Sequence, residues 1–233
     1  MKAFVINLDS RHDRWTDVER QSKKIGFPIF RIPAVTVENR DFKGSMVTEG
    51  VQAIWDSHVL AMRTFLKTYD PYCIIMEDDF KILSSNLEAF DIHARRMHID
   101  FLQMGFLKTS YWERVSIRKA NLSDRLLKIL VFMTKHFPFG LDALRGKVLI
   151  REQLGIESGF IMGDIRPGAH CYLISRRFAS ACVNLNYPTA ISTDGFFMAI
   201  SWMRTFKMLR LKKSKVTQSK SPTSVKNRFK REF

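Results

Sequence analysis

The chain has 233 residues, 45% of them hydrophobic with 19 Phe, which suits one sizeable domain with its own core and leaves little room for a second. The formal charge of +15 is uneven: from residue 203 onward eleven Lys or Arg face only Glu232, so the rest of the chain is only mildly basic. Three cysteines without metal-ligand spacing argue against a disulfide scaffold or zinc module, and no apolar run is long enough to span a bilayer.

Lys2-Ala3-Phe4-Val5-Ile6 already reads as structure, so residues 3–8 form a first strand and no leader peptide is expected before it. Asp9 or Ser10 can cap a helix over about 11–25 that carries Trp15, Val18 and Ile25 and stops at Gly26. Residues 29–35 read as a second strand. Residues 51–68 give the clearest helix, with Ile54, Ala61, Met62 and Phe65 on one face. A short apolar strand, Cys73-Ile74-Ile75-Met76, then runs into Glu77-Asp78-Asp79 and Phe80. A helix near 86–97 and a strand over 99–104 follow.

Residues 109–157 lose this regularity, although Leu122, Leu126, Ile129, Leu130 and Met133 fit an amphipathic helix. A strand over 170–175 and a helix opened by Ser192 or Thr193 restore the order. After Leu211 the chain is rich in Lys, Ser and Thr and reads as a disordered basic tail over 212–233. Strand–helix alternation at this spacing predicts an α/β domain over 1–211, with a mainly parallel sheet and helices on both faces. Free thiols buried in strands fit a reducing, cytosolic setting.

Three consecutive carboxylates at the end of a buried strand repel one another unless a cation or donor-rich ligand sits among them. In open α/β sheets, that end of the strands is where ligands bind. Alternation along an extended segment puts Glu77 and Asp79 on one side and Asp78 on the other. An acidic loop bridged to nearby arginines would explain the run without chemistry. Asn7, Asp9, Arg11 and Arg14 stand where the first strand gives way to its helix, a corner suited to ribose or phosphate; a surface helix with solvated charges is the plainer alternative.

Five segments, in order, resemble glycosyltransferase family 25, which includes bacterial lipooligosaccharide galactosyltransferases and collagen galactosyltransferases. They are Val5-Ile6-Asn7-Leu8-Asp9-Ser10-Arg11-His12-Asp13-Arg14, Ser57-His58, Ile75-Met76-Glu77-Asp78-Asp79, Gly168-Ala169-His170-Cys171-Tyr172-Leu173-Ile174-Ser175, and Asp194. The resemblance covers roughly residues 3–105 and 160–200; Ala169 and Cys171 depart from the usual Thr and Ala.

It implies a GT-A-like, Rossmann-like single domain that moves a hexose from a nucleotide sugar to a glycan, with a divalent cation, most often Mn2+. UDP-galactose as donor, inversion at the anomeric carbon and a lipooligosaccharide-type acceptor also follow from the resemblance. On it, Asp79, with Glu77 or Asp78, holds metal and donor, and His170 completes the metal shell or touches a diphosphate oxygen. Asn7, Asp9, Arg11 and Arg14 contact the nucleotide, while Ser57 and His58 support it. Asp194 is the expected base, with Asp164 and Glu157 in reserve.

Each assignment has a plainer counterpart: a hydrogen-bonded core His for His58 and His170, and an N-capping Asp for Asp194. The segment 109–157 is the expected acceptor or membrane region. The basic tail suits peripheral contact with an anionic cytosolic membrane face, non-specific nucleic-acid contact, or solvent alone. Two rival functions stand beside transfer: a metal-dependent phosphoester hydrolase on the same acidic strand end, and a basic binding module with a degenerate transferase body. Truncation after Leu211 is expected to spare transfer and abolish tail-driven binding.

Overall fold

The computed structural model describes residues 1–39, 47–83, 87–107, 159–187 and 189–219. The expected helix over 122–133 and the reserve base Glu157 lie outside them. In chain order the described elements are β1 (Lys2–Asn7), α1 (His12–Ser22), β2 (Ile29–Pro33), a 3-10 turn (Val37–Asn39), α2 (Glu49–Leu66), β3 (Tyr72–Glu77) and β4 (Phe80–Ile82). There follow α3 (Ala89–Met97), β5 (Phe101–Gly105), β6 (Phe160–Met162), β7 (Cys171–Ser175), α4 (Arg176–Cys182), α5 (Thr193–Met203), β8 (Met208–Leu211) and β9 (Val216–Gln218).

The sheet runs β2-β1-β3-β7-β5-β8-β6, with β9 paired to both β4 and β5. β1, β2, β3, β5, β8 and β9 share one direction; β7 lies between β3 and β5 and is antiparallel to both. The domain is therefore mixed α/β with a largely parallel central sheet, as the alternation of elements predicts; β7 is reversed inside it, and β6 and β4 run antiparallel to β8 and β9, directions that hydropathy does not reveal. Strand residues alternate between two cores. Phe4, Ile6, Ile75, Phe101 and Tyr172 pack under α2, α4 and α5, while Val5, Ile74, Met76, Leu102 and Leu173 pack with Val18 of α1 and Phe90, Ala94 and Met97 of α3. Helices thus cover both faces, and each face has its own apolar layer.

Three local expectations change. The first helix starts at His12 with Arg11 at the N-cap position and no side-chain cap; Asp9 instead pairs with Arg31 at 2.9 Å. The strand carrying the acids ends at Glu77, so Asp78 and Asp79 occupy a turn and strict alternation does not sort them. The chain after Leu211 is ordered at least to Ser219: Val216 is fully buried, and β9 runs antiparallel to β4 and parallel to β5. A β-branched pair at Val216 and Thr217 suffices to seed this strand because partners wait on both sides. The ordered domain therefore extends beyond 211. No helix among the described residues is long and apolar enough to cross a membrane.

Candidate functional site

The carboxyl ends of β1 and β3 lie side by side, with Ile6 opposite Glu77. Antiparallel β7 brings its beginning to the same edge, as Met76 pairs with Cys171, and Cys171 in turn faces Gly105 at the end of β5. Asn7, the Glu77-Asp78-Asp79 run and His170 therefore gather at one edge, although they are spread over more than 160 residues of sequence.

A cleft of ≈ 700 Å³ opens there, with Arg14, Ser57, His58, Glu77, Asp78 and Asp79 in its wall together with Gln218. The three acids have different surroundings. Asp78 is satisfied: its Oδ1 accepts from Arg14 Nη1 at 2.7 Å and its Oδ2 from Asn7 Nδ2 at 2.7 Å. Asn7 is fixed in turn by Arg31, whose Nε donates to its Oδ1 at 2.8 Å. Asp79, only 7% exposed, takes Gln218 Nε2 on Oδ2 at 3.0 Å, while its Oδ1 is buried without a hydrogen-bond partner. Burial pushes the Asp79 carboxyl up, Glu77 and Asp78 push the same way, and Arg14 and Gln218 pull back; the balance is about 6.

Glu77 is partly exposed and has His58 Nε2 at 3.6 Å. His58 is buried on α2, and its Nδ1 lies 2.8 Å from the Tyr172 hydroxyl. With Nε2 protonated, His58 donates toward Glu77 and accepts from Tyr172, which links the cleft wall to the central strand. Ser57 serves the backbone: its Oγ donates to Ala53 O and accepts from Val35 N.

His170 precedes β7 rather than lying within it. Its ring is 1% exposed, and neither nitrogen has a partner in hydrogen-bonding geometry. Burial lowers its pKa against the opposing pull of Glu77, the Val216 backbone and Asp194. The ring fits only because residue 105 is Gly, where a Cβ would come within 2.7 Å of it. Gln103 holds the loop before His170 by donating to Arg166 O at 2.7 Å and accepting from Arg166 N at 2.9 Å. Asp194 ties the same loop, accepting from Ala169 N at 2.8 Å; the cap of α5 is Ser192, whose Oγ accepts from Gly195 N.

The remaining expected residues are engaged in ion pairs outside the wall of the cleft. Arg11 makes a bidentate pair with exposed Asp13, at 2.9 and 2.8 Å, which lowers the Asp13 carboxyl to about 2. Asp9 is likewise in a surface pair. Asp164 is engaged by Arg210 and Arg166; burial alone would raise its pKa, but the two guanidinium groups outweigh it and hold it below the usual range.

Sequence reasoning missed Gln218, which sits inside a stretch read as tail, and Arg31 and Tyr172, which act through contacts remote in sequence. Among the described residues, no cluster of three or more His, Cys, Asp or Glu forms a ready cation cage. The unpaired Asp79 oxygen with Glu77 beside it fits a cation whose other ligands come from phosphate and water, as hard divalent ions commonly use. No protein-family model matches this chain, and no curated protein matches it either.

Proposed function

We propose that this protein is a metal-assisted hexosyltransferase with a GT-A-like fold, related in its motifs to glycosyltransferase family 25. The observation that carries the proposal is Asp79: a buried carboxylate with one anchored and one unpaired oxygen, in a cleft at the carboxyl ends of two parallel strands. A protein does not keep such an oxygen dry and unpaired at no cost; a ligand that arrives with a cation removes the penalty.

In this reading Asp79 Oδ1 and Glu77 would hold a divalent ion, Mn2+ by resemblance, and when bound it would supply positive charge against the diphosphate leaving group. The residues of the chain do the positioning. Arg14 and Asn7 lock Asp78, so the turn keeps its shape without the ligand. His58, held by Tyr172, stands 3.6 Å from Glu77 and completes the wall beside it. Asp194, which accepts from Ala169 N and lies outside the wall of the cleft, is the base for the acceptor hydroxyl proton by resemblance.

The donor is UDP-galactose and the outcome inversion, both on the resemblance, and the acceptor is a surface glycan such as a lipooligosaccharide built at the cytosolic membrane face. The test is a donor screen with Mn2+: each common UDP-sugar is incubated with the protein, and UDP release is measured with and without glycan acceptors. Turnover of one hexose donor supports the proposal. Binding and turnover of none rejects it.

A further inference from the structure

The last strand among the described residues, β9, reaches the centre of the site. Residue 218 stands 139 positions from Asp79 in sequence, yet Gln218 Nε2 donates to Asp79 Oδ2 at 3.0 Å and the next backbone N–H, that of Ser219, donates to the Asp79 carbonyl. Thus one short segment grips both the side chain and the main chain of the same residue. Its base is firm: Val216 is fully buried, Phe80 pairs with Gln218 and Ile82 with Val216 across β4–β9, and Lys215 N donates to Met104 O at 3.0 Å. Arg14 Nη1 lies on the same Asp79 Oδ2, at 4.0 Å. The neutral amide of Gln218 and the cationic Arg14 therefore address one oxygen and leave Oδ1 bare.

We infer that Gln218 is a positioning residue for ligand capture: it anchors Asp79 through Oδ2 so that Oδ1 is presented to the cation of a metal–nucleotide complex. The inference rests on the transferase reading and deepens it, because it makes Gln218 part of the donor site. The side-chain type matters. An amide donates to a carboxylate without adding charge, whereas Glu at this place would set a fourth carboxylate beside Glu77, Asp78 and Asp79. Partners that orient a metal-binding side chain are commonly worth about 10–100-fold in metal affinity.

The experiment measures binding of UDP in the presence of Mn2+ by calorimetry, alongside thermal unfolding without metal, for the wild-type full chain and for Gln218→Ala, Gln218→Glu and Thr217→Ala. Thr217 lies in the same strand as Gln218, pairs with Lys81 of β4 and is outside the cleft wall, so it reports on the strand alone. Gln218→Ala is expected to weaken Mn2+-dependent UDP binding about tenfold or more while its unfolding transition stays close to wild type. Gln218→Glu, nearly isosteric, should weaken it further, and Thr217→Ala should leave it unchanged. Wild-type affinity in both Gln218 variants overturns the inference alone. So does a loss of binding that only tracks a loss of fold, with Thr217→Ala losing as much. Failure of the wild-type chain to bind UDP with Mn2+ takes the transferase reading down together with it.

Discussion

Replacing Arg14 with Met removes the guanidinium that lies 2.7 Å from Asp78 and 4.0 Å from Asp79, in a pair whose two side chains are each 8% exposed. At an effective dielectric of about 20, those separations correspond to about 6 and 4 kcal/mol of attraction before desolvation is subtracted. Desolvation cancels much of that, but removing one partner strands the other charge, and broken buried pairs cost about 3–5 kcal/mol. Asn7 still donates to Asp78, which puts the expected loss near the lower end, about 3 kcal/mol.

For a domain of this size that is a fall of about 6–12 °C in the unfolding temperature. Urea unfolding at pH 8 with chelator reads the free energy, and the Arg14→Met/Asp78→Asn double variant closes a cycle. The double variant should recover about 1–2 kcal/mol relative to additivity. A loss below about 1 kcal/mol for Arg14→Met, or strict additivity in the cycle, refutes the claim that this pair holds the acidic turn.

Asp79 sets up an opposition between stability and function. Its folded-state pKa of about 6 lies above the ordinary 3.8, so the folded protein favours the protonated acid. That contribution is complete below about 3.8 and is lost as pH rises through about 6; two units correspond to about 3 kcal/mol. Asp79→Asn should therefore stabilise the metal-free protein by about 1–3 kcal/mol at pH 8, with the gain vanishing below pH 4; a destabilised variant at pH 8 contradicts it. Cys73, Cys171 and Cys182 are buried, and burial raises all three thiols, so a thiol reagent at pH 8 should label none of them until the chain unfolds. Truncation after Leu211 removes β9 and should cost both stability and nucleotide binding; wild-type unfolding and binding in that variant contradict it.

What the sequence made legible follows from which forces are local. Cys73-Ile74-Ile75-Met76 is apolar on both sides because β3 is covered by both cores, and its acidic end stands out because charge cannot follow apolar residues inward without a reason. The direction of β7 was not legible: an apolar strand buries equally well either way, and only its pairing with β3 and β5 decides. Asp78 and Asp79 could not be separated by alternation because the strand ends at Glu77, and what distinguishes them arrives from Arg14 and Gln218, 64 and 139 residues away. What holds Arg11 is, by contrast, local. Asp13, two residues on, offers a bidentate partner that satisfies it at the surface.

The central claim is that the cleft around Asp79 takes a nucleotide sugar together with a divalent cation. Its most direct measurement is Mn2+-dependent release of UDP from a UDP-hexose by the wild-type chain and by Asp79→Asn, whose fold is checked by unfolding under the same conditions. Turnover that needs the metal is expected for the wild type, and a loss of at least about a hundredfold for a folded Asp79→Asn. Full metal-dependent turnover by Asp79→Asn, or no release by the wild type with any UDP-hexose, contradicts it.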